Sequence, residues 1–64
     1  MNLNLTRREK AIIELLKLGM LNKQMAWELG ITEGTIKQYL YVLYKKAGAS
    51  NRTDLVAKLY RGDL

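Results

Sequence analysis

The chain has 64 residues, enough for one small core and too few for two, and its eleven Lys and Arg against six Asp and Glu leave a formal net charge of +5. It contains neither cysteine nor histidine, which excludes disulfides, thiolate nucleophiles, imidazole bases and the usual zinc ligand sets. A domain of this size without such staples depends on an efficient helical core or on a partner subunit, and its basic charge points to an anionic partner.

The first predicted helix is set by Thr6 and Glu9, which stand in the T-x-x-E relation of a capping box, each side chain satisfying a backbone N–H of the other residue. Ile12, Leu15, Leu16 and Ala11 follow on one face, and Gly19 supplies a left-handed stop, giving a helix over 7–18. A short helix over 22–29 turns Met25, Ala26 and Leu29 inward and ends at Gly30, with Trp27 set away from that face and expected to be partly covered by a neighbouring helix or the N-terminal segment, the alternative being a partner contact.

Thr32 is a good N-cap for a third helix over 33–47, in which Ile36, Leu40, Leu43 and Ala47 line one side, Tyr39 and Tyr44 flank them, and Gly48 stops the run. Its opposite side collects Gly34, Lys37, Gln38, Tyr41, Val42 and Lys45, a mixed face rather than a plainly solvated one. Ser50 or Asn51 caps a fourth helix over 52–60, where Leu55 and Leu59 make one apolar stripe and Val56 and Tyr60 a second. So short a helix cannot bury both stripes against one small core.

A short helix, a glycine turn and a longer helix form a helix-turn-helix, in which the longer helix enters the major groove of duplex DNA. At this point particular residues carry a resemblance. Leu5-Thr6 with Arg8-Glu9, Leu15-Leu16, Gly19, Asn22-Lys23, Ala26, Leu29-Gly30-Ile31-Thr32-Glu33, Thr35-Ile36-Lys37, Leu40, Lys46, Gly48, Arg52 and Leu55-Val56 occur in order and at family spacing. From Leu5 to Val56 the chain resembles the LuxR-type (GerE- or FixJ-like) DNA-binding domain.

That resemblance implies an all-α, four-helix domain spanning 1–64, whose third helix reads the major groove and whose fourth helix forms a dimer contact. Carried over by position, Lys37, Gln38 and Tyr41, with Gly34 in the first turn, face base edges, while Lys23, Thr35, Lys45, Lys46 and Arg52 lie near phosphates. Val56, Ala57 and Tyr60 are the candidate homodimer residues, the alternative being that they pack on the first helix. The bland reading of each lysine is a solvated charge, of Gln38 a surface helix former, and of Tyr41 a ring that shields its helix.

Three departures from the family pattern bear on this expectation. Leu21 stands where Ser or Thr is usual and loses a cap, which Asn22 is placed to replace. Tyr39 replaces a common His, and Val42 replaces a common polar residue on the outer face. Gly34 lowers local helix stability by roughly 1 kcal/mol relative to Ala but permits close backbone approach to DNA.

The expected function is that of a bacterial or phage transcriptional regulator that binds double-stranded DNA as a dimer, as a stand-alone small protein in the cytoplasm, with no cofactor and no membrane partner. The competing function is a protein-interaction module that pairs with a larger LuxR-type regulator and keeps it from DNA, a reading motivated by Leu21 and Val42. A sigma-factor promoter module is a third possibility, against which the stretch around Thr35-Ile36-Lys37 argues. No nucleophile, base and metal ligand assemble here into a catalytic constellation, so an enzyme is not expected.

Overall fold

The computed structural model describes residues 4–62, in which four helices follow one another: α1 (Arg7–Lys17), α2 (Asn22–Leu29), α3 (Glu33–Ala47) and α4 (Arg52–Arg61). The starts of α1, α3 and α4 are capped as the sequence predicts. Thr6 accepts from the N–H of Glu9 at 3.1 Å while Glu9 Oε1 accepts from the N–H of Thr6 at 2.9 Å, a complete capping box. Thr32 accepts from the N–H of Thr35 at 3.1 Å, and Asn51 accepts from the N–H of Asp54 at 2.9 Å. Asp54 does more than place a charge in the first turn of α4: its carboxylate accepts from the N–H of Ser50 at 2.9 Å and from Lys58 at 3.1 Å, and both bonds hold its pKa below the ordinary value.

The helix-turn-helix is compact because α2 stops on a left-handed residue. Gly30 has φ 69°, and the N–H of Ile31 reaches back to the carbonyl of Ala26 at 2.9 Å, the wrapped end that lets the chain reverse into Thr32 within two residues. A side chain at Gly30 has open space but would force a Cβ into that left-handed backbone, so the constraint is conformational and not steric.

The start of α2 differs from expectation. Leu21, not Asn22, is the N-cap, and Asn22 is the first helical residue. Leu21 has no side-chain acceptor, so only the return half of a capping box survives, with Gln24 Oε1 accepting from the N–H of Leu21 at 2.8 Å. Asn22 is occupied elsewhere, since its Oδ1 accepts from Arg52.

One core joins the four elements. Ile12, Ile13 and Leu16 of α1, Met25 and Ala26 of α2, Ile36, Leu40 and Leu43 of α3 and Leu55 of α4 are buried together, with Leu15, Leu29, Tyr39, Tyr44, Ala47, Val56 and Leu59 packed around them. Helix α3 packs against both α2 and α4, and α4 returns to α1. Among the described residues no helix is long and apolar enough to cross a membrane.

A charge lies at the edge of this core. Glu9 is only 3% exposed, and its carboxylate meets the Lys46 ammonium at 2.8 Å, joining the first turn of α1 to the last turn of α3. Lys46 also donates to the carbonyl of Asn4 at 3.4 Å. The Lys46 hydrogen bond, followed by the backbone N–H of Thr6, lowers the Glu9 pKa from its ordinary 4.5, against the opposing effect of burial. Stability from this pair is therefore fully present above the unfolded carboxylate pKa and is lost as pH falls through the lower folded value. Lys46→Met is expected to destabilise the domain by about 1–3 kcal/mol at neutral pH, because it strands a buried carboxylate. In denaturant titrations the difference between the two proteins should shrink as pH falls below 4.5; a difference independent of pH would show that the lysine acts through packing alone.

Candidate nucleic-acid interface

The outer face of α3 follows from helical geometry. Successive residues turn by about 100°, so Ile36, Leu40 and Leu43 point to one side and Gly34, Gln38 and Lys45 lie on the side opposite. Lys37 and Tyr41 border this strip on one flank, and Val42 and Thr35 border it on the other. Gly34, Lys37, Gln38, Tyr41, Val42 and Lys45 are all exposed, and Thr35 is half-buried. The mixed face that the sequence predicts is thus one continuous exposed surface.

Its parts are not equally free. Lys45 sits over the ring of Tyr41 with its ammonium 4.7 Å from the ring centre, a cation–π pair one helical turn apart. Tyr41 is nonetheless 59% exposed, leaving its other side open to solvent. The Thr35 hydroxyl lies 2.9 Å from that of Thr32, so the N-cap and its neighbour form a small polar cluster at the start of α3. A Cβ at Gly34 would meet only Thr32 Oγ1 at 3.8 Å, so no packing inside the fold calls for glycine there.

Between the beginning of α1 and the outer face of α3 lies a shallow recess of about 240 Å³ lined by Glu9, Thr35, Gln38, Tyr39 and Val42. Val42 stands at this recess and is 40% exposed. On the other flank, Lys23 of α2 is exposed near the junction that also includes Leu21, Glu33 and Arg52.

The residues expected near phosphates fall into two sets. Lys23 and Lys45 are exposed, and Thr35 stands at the start of the face. Lys46 and Arg52 instead have partners within the fold. Lys46 is committed to Glu9, as described above. The Arg52 guanidinium donates through Nη1 to Asn22 Oδ1 at 3.2 Å and through Nη2 to the carbonyl of Met20, so it staples the start of α4 to the loop and first residue of α2. Residues 37 and 30 positions apart make these contacts, and no local sequence period encodes such pairings.

Trp27 departs from expectation more plainly. It is 83% exposed, so no helix among the described residues covers it, while residues 1–3 of the N-terminal segment lie outside the described residues. Leu18 and Leu21 are also largely exposed, and Met20, Lys23, Gln24 and Glu28 line an open depression with the indole.

The fourth helix shares its apolar residues between two duties. Leu55 is fully buried, while Val56 and Leu59 pack against the core and remain half-buried, as does Ala57. Tyr60 is 66% exposed and donates its hydroxyl to the carbonyl of Lys17 at the end of α1. Val56 is thus partly taken up by its own core, and the more open part of the candidate dimer face is Tyr60.

The Arg52 staple has a measurable consequence. Arg52→Ala leaves the Met20 carbonyl and Asn22 without their donor, and it should lower unfolding stability by about 1–3 kcal/mol in urea titrations. Lys23→Ala, whose side chain is exposed, should change stability by less than about 0.5 kcal/mol. Equal effects of the two would contradict the structural assignment of Arg52.

Comparison with known proteins agrees with this geometry. Residues 3–59 match the family model described as bacterial regulatory proteins, luxR family. The chain is 45% identical over 53 residues to the CsgBAC operon transcriptional regulatory protein of Escherichia coli, covering 83% of this chain and 24% of that protein. It is 43% identical over 54 residues to the probable transcriptional regulatory protein SgaR of Hyphomicrobium methylovorum, covering 84% and 26%. Over 54 residues it is 35% identical to the transcriptional regulatory protein DesR of Bacillus subtilis, covering 84% and 27%. The chain therefore spans about a quarter of the length of these relatives. With a helix-turn-helix of matching order and an exposed face on its third helix, the chain belongs to the luxR family of bacterial regulatory proteins, and its four-helix body is a DNA-binding domain of that type.

Proposed function

We propose that this chain regulates transcription in the cytoplasm by binding specific duplex DNA as a dimer, with α3 lying in the major groove. The observation that carries the reading is the continuous exposed face Gly34, Lys37, Gln38, Tyr41 and Lys45 on a helix whose other side is buried in the core. A core-anchored helix presents such a face at fixed orientation, and the major groove is wide enough to admit it.

In this reading Gln38, close to the middle of the face, pairs bidentately with adenine N6 and N7, and Lys37 at its margin donates to guanine O6 and N7. Tyr41 presents its open ring side to base edges while Lys45 shares its charge between that ring and the backbone. Gly34 allows the first turn to approach closely. Lys23, Thr35 and Lys45 contact phosphates, whereas Lys46 and Arg52 serve the interface by holding α1, α2 and α4 in register behind it.

Two copies pair through α4, with Tyr60, Ala57 and the open edge of Val56 at the contact, so that two α3 helices reach half-sites about one helical turn apart. A second reading, pairing with a larger relative to keep it from DNA, draws on the exposed apolar group Trp27, Leu18 and Leu21.

The test is selection of bound duplexes from a random pool by the purified protein, followed by affinity measurements on the recovered sequence. A two-fold motif is the expected result. On that operator Lys37→Ala should cost about 1–3 kcal/mol and relax preference at one base pair, while Lys23→Ala should weaken all sequences alike and reduce the salt slope by about one. Failure of the folded protein to enrich any sequence would overturn the proposal in favour of the antagonist reading. Separately, Tyr60→Glu is expected to convert the dimer to a folded monomer in sedimentation; a mass unchanged by the substitution would reject the α4 interface.

A further inference from the structure

Val42 is the one aliphatic side chain on the outer strip and flanks of α3, where its neighbours are Gly34, Thr35, Lys37, Gln38, Tyr41 and Lys45. It is 40% exposed and contributes nothing to the buried core formed by Ile36, Leu40 and Leu43 on the far side of the same helix. Helical propensity does not account for it either, because a β-branched residue loses side-chain freedom in a helix and forms one less readily than Ala, Lys or Gln. On the isolated domain this residue costs something and returns little.

The surroundings identify what it is suited to touch. Lys37 and Lys45 lie on the same face, on a chain of net charge +5, so the surface favours a polyanion over an apolar protein groove. Within the major groove of such a polyanion, base edges present donors, acceptors and a single apolar group, the C5 methyl of thymine. Val42 lies one turn beyond Gln38 and two turns beyond Thr35, at the edge of the recess lined by Glu9, Thr35, Gln38, Tyr39 and Val42. The rise from Gln38 to Val42 is about 6 Å, close to the span of two stacked base pairs. A methyl group entering there is covered by the valine on one side and by the stem of Gln38 on another.

Resting on the major-groove reading above, we infer that Val42 is a base-reading residue in its own right, specific for a thymine C5 methyl within about two base pairs of the adenine read by Gln38. The replacement of a polar residue by Val42 then changes the sequence preference of the face and does not weaken it. The mechanism is burial of methyl surface, with no hydrogen bond and no charge involved, so its signature is dependence on one methyl group and indifference to salt.

The test uses the operator recovered by selection. Each thymine is replaced singly by uracil, which removes the C5 methyl and leaves the pairing edge unchanged. For the unsubstituted protein, one position in each half-site is expected to lose about fourfold in affinity on this replacement, the equivalent of roughly one buried methyl group. With Val42→Ala the penalty at that position should vanish, while with Tyr41→Ala it should persist. Val42→Thr, which keeps the branched shape and introduces a hydroxyl, should retain only part of it. Val42 lies outside the core, so these variants are expected to fold as the parent does, checked by unchanged helical circular dichroism and a thermal midpoint within about 4 °C of the parent's.

A uracil scan without such a position, a penalty that Val42→Ala leaves intact, or an operator with no thymine within reach of the Gln38 site would each overturn the inference. Any of these outcomes, obtained on an operator bound tightly with a steep salt dependence, leaves the DNA-binding reading standing. Absence of any selected operator would overturn both.

Discussion

The Glu9 carboxylate holds the beginning of the chain to the end of α3, and the rest of the arrangement depends on that contact. It completes the cap of α1 through the N–H of Thr6 and receives the Lys46 ammonium at 2.8 Å from a residue 37 positions later. One side chain therefore both caps the start of α1 and ties it to the last turn of α3. Between those ends, the hydrophobic side of α3 is clamped by Ile12, Leu16, Met25 and Leu55, leaving its opposite side with no role in the core. Removing a buried carboxylate's partner is costlier than the pair itself is worth, because the charge left behind has lost its water.

Arg52 provides the second long-range tie and explains how a domain with so little core keeps α2 at a fixed angle. Leu21 gives the start of α2 no polar cap, yet that start is held from outside by a guanidinium shared between the Met20 carbonyl and Asn22. The planar fork of arginine serves these two acceptors through separate nitrogens at fixed geometry, which the single ammonium of a lysine does not reproduce. Two of the chain's eleven basic residues are thereby used for architecture. In the proposed binding mode the surface that meets DNA is accordingly carried by fewer cations, with Lys23, Lys37 and Lys45 exposed beside Gln38, Tyr41 and the apolar Val42.

Much of this was legible in the residues. Thr6 with Glu9, Thr32, Asn51 and the glycines at 19, 30 and 48 mark helix ends through bonds made within a few positions, and all of them act as their local chemistry dictates. The inward faces of α2 and α3 follow from the helical period in the same way. What the sequence concealed lies between elements. Nothing in a helical wheel pairs Glu9 with Lys46 or Arg52 with Met20, and the apparent vacancy left by Leu21 pointed to Asn22, whose amide was needed by Arg52 instead. Trp27 shows the same limit: its side of α2 is evident from its spacing, but whether another helix covers that side depends on how α1 and α4 pack. At the candidate interface the exposed face of α3 was readable from the helical period, and the pairing of Lys46 and Arg52 within the fold was not.

Whether α3 is the surface that meets DNA is measured most directly by a residue-by-residue amide shift titration of the labelled protein with a tightly bound duplex. The largest changes are expected along Gly34, Gln38, Tyr41, Val42 and Lys45 and at the start of α2 around Lys23, with the buried positions Ile12 and Leu55 little affected. Changes concentrated instead around Leu18, Leu21 and Trp27, with the outer face of α3 unmoved, would contradict that role for α3.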